Sequence, residues 1–316
     1  MKRDGYWKRY DRKYKKFSIK KLYYFILAKA RKLGKPFERK SKRGRPLAIS
    51  PYDYVTIFIL SSLLDLSLRD DEFLSDLLAG KHIDHSTFGK AFAKIPYRYL
   101  KKLLIMIRNA INSYVGTDSI LIVDSTWVKV DRVYYETITK CHRGKRRVRD
   151  KLNILAEYYR DEGIIAVADA DSKYSSDAFG ALLMLDEIKA KGKILLGDGG
   201  YDAEALYKKC YKKGIIPIIK IRDYDRKPRK YRNKAMRAFN EKLYKKYRGI
   251  IEGIFGGLEC RRLLFTRYKK KEMRMKHIIA MAIVHNLQTY MAILFFILIY
   301  STTPIFFQQI INRQKP

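Results

Sequence analysis

The sequence predicts an α/β chain: a mixed sheet flanked by helices, preceded by an all-helical region and a basic N-terminal arm. Three observations carry that prediction. Apolar residues recur at helical spacing through residues 50–115, and the period becomes strand-like near residue 118. From there, short apolar runs alternate with amphipathic stretches, the pattern of strands covered by helices. The boundaries that follow are an arm over 1–46, a helical region over 47–116, an α/β domain over 117–290, and a terminal apolar helix with its tail over 291–316.

The arm holds 19 Lys/Arg and 3 Asp/Glu interleaved with Tyr and Trp, a composition expected to stay loosely ordered until it meets a polyanion. Ser50 before Pro51 is an N-cap followed by proline at the first helical position. Ser67 opens a second helix whose stripe is Leu68, Phe73, Leu74, Leu77 and Leu78, and Gly80 ends it. Ser86 or Thr87 starts a third, carrying Phe88, Phe92 and Ile95. Short helix, glycine turn and helix make a helix-turn-helix-like unit, a pattern that any small helical bundle shares. SILIVDSTWVKV (119–130) reads as a strand, and KLNILAEYY (151–159) with GIIAVADAD (163–171) as a hairpin. A helix over 177–192, a strand KILLGD (193–198) and a helix over 202–214 follow. IIPIIKI (215–221) is a short strand that Pro217 assigns to a sheet edge, and the chain then returns to helix.

The chain has 316 residues with 68 Lys+Arg against 32 Asp+Glu, a net charge of +36. With 47% hydrophobic residues it buries a sizeable core, which excludes a disordered polycation. Charge on that scale selects a polyanionic partner, nucleic acid ahead of an anionic membrane. Cys141, Cys210 and Cys260 lie far apart without CxxC spacing, which excludes a disulfide framework or a structural zinc site and fits a reducing interior, cytoplasmic and nucleoid-associated. No apolar segment follows the basic N-terminus, so it is no secretory signal. The apolar run MAILFFILIY (291–300) is about half the length of a spanning helix, and behind it stand His285, Asn286 and Gln288; it reads as a helix packed on the core.

Two apolar strands deliver aspartates. Asp124 ends ILIV and Asp198 ends KILLG, and in an open α/β sheet functional groups gather at the carboxyl ends of strands. Two carboxylates side by side repel unless a cation lies between them, and hard oxygen ligands suit Mg²⁺ or Mn²⁺. The Gly199–Gly200 pair leaves room for a phosphate. Glu252 is the candidate third acid. Arg248 stands four residues before it, so the two read either as groups facing one groove or as a surface ion pair. Competing acids have plainer readings: Asp169 and Asp171 in a turn, Glu157 paired with a lysine, Asp177 as an early-turn helix acid, Asp202 as a helix cap.

DST at 124–126, GDGGYD at 197–202 and YRGIIEGIFG at 247–256 together resemble the three signature regions of a DDE transposase, the group encoded by bacterial and archaeal insertion sequences of the fourth and fifth families. DHSTFGKAF (84–92), SSDAF (175–179) and HNLQTY (285–290) extend the resemblance over residues 45–290. It implies an RNase H-like catalytic core, a helical DNA-binding region before it, and Asp124, Asp198 and Glu252 as a catalytic, metal-binding triad holding two Mg²⁺ or Mn²⁺ ions. It further implies cutting at an element's ends followed by strand transfer into target DNA, both in-line displacements at phosphorus. Arg248 matches the residue expected to hold a DNA phosphate. Lys245 stands where the pattern has tyrosine, between Tyr244 and Tyr247, and Glu259 where it has lysine, with Arg261 or Arg262 as substitutes.

Basic blocks bracket these acids. Residues 140–151 hold 7 Lys/Arg and 1 Asp, residues 222–248 hold 12 basic and 3 acidic, and residues 260–277 hold 8 basic and 1 acidic. Arg143, Lys145, Arg146, Arg147, Arg149, Arg248, Arg261 and Arg262 are therefore the expected DNA contacts. Double-stranded DNA is the expected partner, with a homodimer on the paired ends and neither a membrane nor a small-molecule substrate. The rival readings are a non-catalytic basic DNA-binding protein and an RNase H-like metal nuclease without strand transfer.

Overall fold

The computed structural model of the chain describes residues 18–38, 46–116, 119–130, 135–136, 146–147, 149–159, 162–171, 175–222 and 229–301. Among the described residues, five helices come first: α1 (Ile19–Leu33), α2 (Pro51–Leu64), α3 (Asp70–Ala79), α4 (His85–Lys94) and α5 (Tyr97–Val115). Capping chemistry sets their limits. Ser50 and Asp53 form a reciprocal capping box with Pro51 at the first turn of α2. Gly80 closes α3 in the left-handed conformation that glycine adopts freely. Asp84 caps α4 through the Ser86 amide, so the helix starts at His85, one or two residues earlier than the Ser86 or Thr87 start read from sequence.

Two helical expectations change. Residues 19–33 are not a loose arm but an amphipathic helix that buries Leu22, Tyr23, Ile26, Leu27 and Ala30 against α2 and α5. Its basic residues lie mostly on the other face, in water, so burial of the stripe, about 1.5–3 kcal/mol per large side chain, wins over screened repulsion. In α3 the expected stripe splits: Leu74 is buried while Phe73 and Leu77 are 76% and 63% exposed. The buried face of α3 is Asp71, Leu74 and Ser75.

The sheet has the order β5-β4-β1-β6-β7, built from β1 (Ile120–Val130), β4 (Arg149–Tyr159), β5 (Glu162–Asp171), β6 (Ile194–Gly197) and β7 (Ile216–Ile219). β1, β4 and β5 are antiparallel; β6 and β7 run parallel to β1. A short β2 (Tyr135–Glu136) pairs with β3 (Arg146–Arg147) apart from it, and β8 (Phe265–Thr266) pairs with the end of β1. With α6 (Asp177–Asp186), α7 (Glu204–Lys212), α8 (Lys230–Arg237), α9 (Glu241–Cys260) and α10 (Lys271–Ser301) on its faces, this is a mixed sheet flanked by helices that matches an RNase H-like α/β fold. Pro217 lies in β7, at the sheet edge where its missing donor costs least.

Strand alternation divides the core. Ile120 and Ile122 of β1 join the helical region, α9 and α10 in one apolar cluster, whereas Leu121 and Val123 join α6 and α7 in another. α10 is the long apolar element, and residues 291–301 continue it without a break from Lys271. By length and composition it is able to cross a membrane, yet 78% of its most apolar window is buried inside the protein, against α2, α5 and β5. Its apolarity therefore has a packing role here.

Candidate active site

β1 and β6 lie side by side in parallel, with Ile120, Leu121 and Ile122 facing Ile194, Leu195 and Leu196. Two residues on along each stand Asp124 and Asp198, so register alone sets both acids at the carboxyl end of one strand pair. Asp124 does not end its strand, as its apolar run suggests. Pairing with β4 carries β1 on to Val130, and what ends before Asp124 is the parallel pairing. Asp198 directly follows β6 and caps the 3-10 turn Gly199–Tyr201, its Oδ1 accepting the Gly200 amide at 2.7 Å.

α9 runs over the face of the sheet from the Asp124 end toward the opposite end of the outer strand. Gly163 at the start of β5, level with the amino end of β1, admits it closely: a Cβ there would lie 2.4 Å from Ile254 Cδ1. The approach brings Arg248 Nη2 to within 2.9 Å of Asp124 Oδ2. Burial holds the Asp124 carboxyl above its ordinary value against the pull of Arg248 and the Ser125 amide, and the Asp198 charge adds to the rise. Tyr244, one turn earlier, lies beside the same guanidinium; Lys245 is exposed and pairs with Glu241 at 2.8 Å. Glu252 stands one turn beyond Arg248, exposed. The guanidinium is engaged with Asp124, and no Arg248–Glu252 ion pair forms among the described residues.

The three acids are not crowded together. Among the described residues, three ligand-type side chains within 4.8 Å of one another occur elsewhere, at Glu72, Asp84 and His85. Capping accounts for that group: Glu72 Oε1 meets both the His85 amide and its ring Nδ1 at 2.8 Å.

Three residues at the site have no role there in the sequence reading: Asp177, an early-turn helix acid on that reading, Arg222 and Tyr201. Asp177, at the first position of α6, is linked through Oδ1 to Ser125 Oγ at 2.7 Å and to Lys151 Nζ. Arg222 arches over the glycine pair, and a Cβ on Gly199 would lie 2.9 Å from its Cγ. The space above the glycines that the sequence reserves for a phosphate is thus lined by side chains of the protein. Buried Tyr201 gathers the acids: burial first, then the charges of Asp124, Asp177 and Asp198, push its phenol well above the ordinary value. A weak signal for Asp177 was present in SSDAF, but an acid in a first helical turn looks the same when it merely faces the helix dipole.

The donors gathered here are carboxylate oxygens, the ligand type that Mg²⁺ and Mn²⁺ take. Asp124 and Asp198 lie adjacent, with Arg248 as the cation on the first, so the residues fit a divalent-ion site. The remaining acids have structural partners. Glu157 is buried on β4 and takes Arg108, Asn112 and Lys193, so it does pair with a lysine. Asp169 accepts from Tyr97 and Lys101, and Asp171 from the Ser175 amide. Asp202 does not cap α7, whose N-cap is Ala203: its carboxylate clamps Arg232 and the Arg222 amide.

Of the expected DNA contacts, Arg149 is exposed on β4; Arg143 and Lys145 lie outside the described residues, as do the side chains of Arg146 and Arg147. Arg261 is half-buried just past α9, and Arg262 is exposed with φ 56°, in the turn that ends that helix.

A family model described as "Transposase DDE domain" matches residues 116–287. An uncharacterized protein of Aquifex aeolicus (strain VF5) is 28% identical over 266 residues, 79% of this chain and 82% of that protein. Among solved structures, a piggyBac transposase synaptic complex with hairpin DNA aligns over 86% of this chain and 74% of its own, at 9% identity and TM-score 0.41. The Mos1 strand transfer complex aligns over 80% and 79%, at 11% identity and TM-score 0.27.

Proposed function

The chain belongs to the transposase DDE domain family, and we propose that it cuts DNA at the ends of an insertion sequence of the fourth or fifth family group and joins them to target DNA. The observation that carries this reading is the register of β1 and β6, which sets Asp124 beside Asp198 under the helix bearing Arg248 and Glu252.

Asp124, Asp198 and Glu252 would hold two Mg²⁺ or Mn²⁺ ions, which would supply activation of a water or a 3′-hydroxyl and stabilisation of the leaving oxygen. Tyr201 is buried and Asp124 mostly so, which strengthens the charge interactions they make. Arg248 releases Asp124 and turns to a DNA phosphate. The basic blocks at 140–151, 222–248 and 260–277 track the duplex, and Arg149, Arg261 and Arg262 contribute phosphate contacts. A homodimer synapses two ends in the cytoplasm, at the nucleoid.

The test is incubation with a supercoiled plasmid carrying the element ends, with and without Mg²⁺, followed by strand transfer with a pre-cut end. Metal-dependent nicking and joining, both lost in Asp198→Ala, are expected. Binding without nicking in the unaltered protein would leave a DNA-binding protein, and nicking without joining a metal nuclease. Affinity should fall by roughly 10³-fold or more between 50 and 200 mM salt if about six phosphates are contacted; a flat response would remove DNA from the basic surface.

A further inference from the structure

We propose that Asp177 is a fourth acid of this cation site, shared with Asp198 across Gly200; the inference rests on the reading of Asp198 as a metal ligand. The two oxygens of Asp177 do different things. Oδ1 is fixed by Ser125 Oγ at 2.7 Å and by Lys151 Nζ. Oδ2 points at Gly200, where an added Cβ would lie 2.9 Å from it and 2.9 Å from Asp198 Oδ1. Two carboxylate oxygens from different elements thus converge on one bare Cα, and only glycine leaves room for both.

Helix capping does not account for this placement. Ser176 is the N-cap of α6, its side chain accepting the Phe179 amide, so the Asp177 carboxylate is spared that task and turned inward. The anchors are substantial: Lys151 comes from β4, with 7% of its surface exposed, and its ammonium lies 5.7 Å from the centre of the Trp127 ring. Ser125 neighbours Asp124 and turns to the opposite face of β1. Asp177 is therefore positioned from both central strands, and positioned next to a like charge. Arg222 lies over Gly200 as well, its Nη2 3.6 Å from the added Cβ position, and is the cation that a divalent ion shared by Asp177 Oδ2 and Asp198 would displace.

Calorimetric titration of the full chain with Mn²⁺, without DNA, tests this. Asp177→Asn and Gly200→Ala are each expected to weaken Mn²⁺ binding by about fivefold or more, the second without removing any ligand. A structural clamp would instead lower the melting temperature of Asp177→Asn and leave its Mn²⁺ affinity, and that of Gly200→Ala, unchanged; that result overturns the proposal. Asp198→Asn is the reference. If it weakens Mn²⁺ while the other two do not, Asp177 is excluded and the site stands. If Asp198→Asn has no effect either, the reading of the site itself fails.

Discussion

Arg248 donates from Nη2 to Asp124 Oδ2 at 2.9 Å, joining two residues 124 positions apart in sequence. Both side chains are mostly buried, at 16% and 15% exposure, so the pair is neither a free surface contact nor a sealed core bridge. Such a pair competes with any other cation for the same carboxylate. Removing the guanidinium charge is worth on the order of 1 kcal/mol to a metal ion after screening. Arg248→Gln should therefore bind Mn²⁺ about fivefold more tightly by calorimetry while nicking DNA more slowly. Unchanged affinity would mean that Arg248 does not guard the acid.

The placement of α9 rests on a missing side chain. A Cβ on Gly163 would come 2.4 Å from Ile254 Cδ1 and 2.9 Å from its Cγ1, so a larger residue must shift the Ile254 side chain or, where that cannot yield, the helix that carries Arg248 and Glu252. Gly163→Val is expected to cost about 1–3 kcal/mol in urea unfolding, the range for overpacked cores. Ile254→Ala in the same chain should return part of that loss. If the two changes cost independent amounts, the helix is not seated on this glycine.

Sequence made local features readable. Ser50–Pro51, Gly80, the β4–β5 hairpin and the edge strand with Pro217 follow from capping, turn and donor chemistry acting within a few residues. Asp198 was legible because it directly follows its strand; Asp124 was legible only from the end of its apolar run, where the parallel pairing stops while the strand itself goes on. What escaped needs tertiary partners. The partner of Arg248 lies on another element, and the inward turn of Asp177 depends on Lys151, Ser125 and a glycine far along the chain. Net charge hid α1, whose apolar stripe is interleaved with lysines and becomes a buried face only beside α2 and α5. Phe73 and Leu77 show the converse: helical periodicity predicts a stripe without saying how much of it is covered.

HNLQTY gains a structural account. Asn286 is fully buried, and its amide brackets one residue of the sheet's outer strand, accepting the Ile165 N–H at 2.8 Å and donating to the Ile165 carbonyl at 2.7 Å. It does so where β5 slips register against β4, Ala156 facing Ile165 and Leu155 facing Val167. His285 adds a ring contact to the Gly163 carbonyl at 2.8 Å. Asn286→Leu leaves two backbone groups buried and unpaired, at about 1–3 kcal/mol each. A loss of at least about 2 kcal/mol in denaturant unfolding is expected, with faster aggregation through the uncovered edge. A neutral substitution would show that water reaches the strand.

Asp71 makes stability depend on pH from inside the helical region. It is fully buried on α3, and neither carboxylate oxygen meets hydrogen-bond geometry with a described residue. Burial pushes the carboxyl up to about 7, with Ser61 drawing it back and Asp70 raising it further. Because this folded-state value lies above the unfolded one, near 3.9, the group's contribution is complete below that lower value and is lost as pH rises through about 7. Asn mimics the protonated acid. Asp71→Asn should therefore match the parent near pH 4 and exceed it by roughly 3 kcal/mol at pH 8, judged by urea unfolding at each pH. An advantage that does not grow across that interval would mean that Asp71 keeps its charge in the fold, through a partner that a shift of α3 provides.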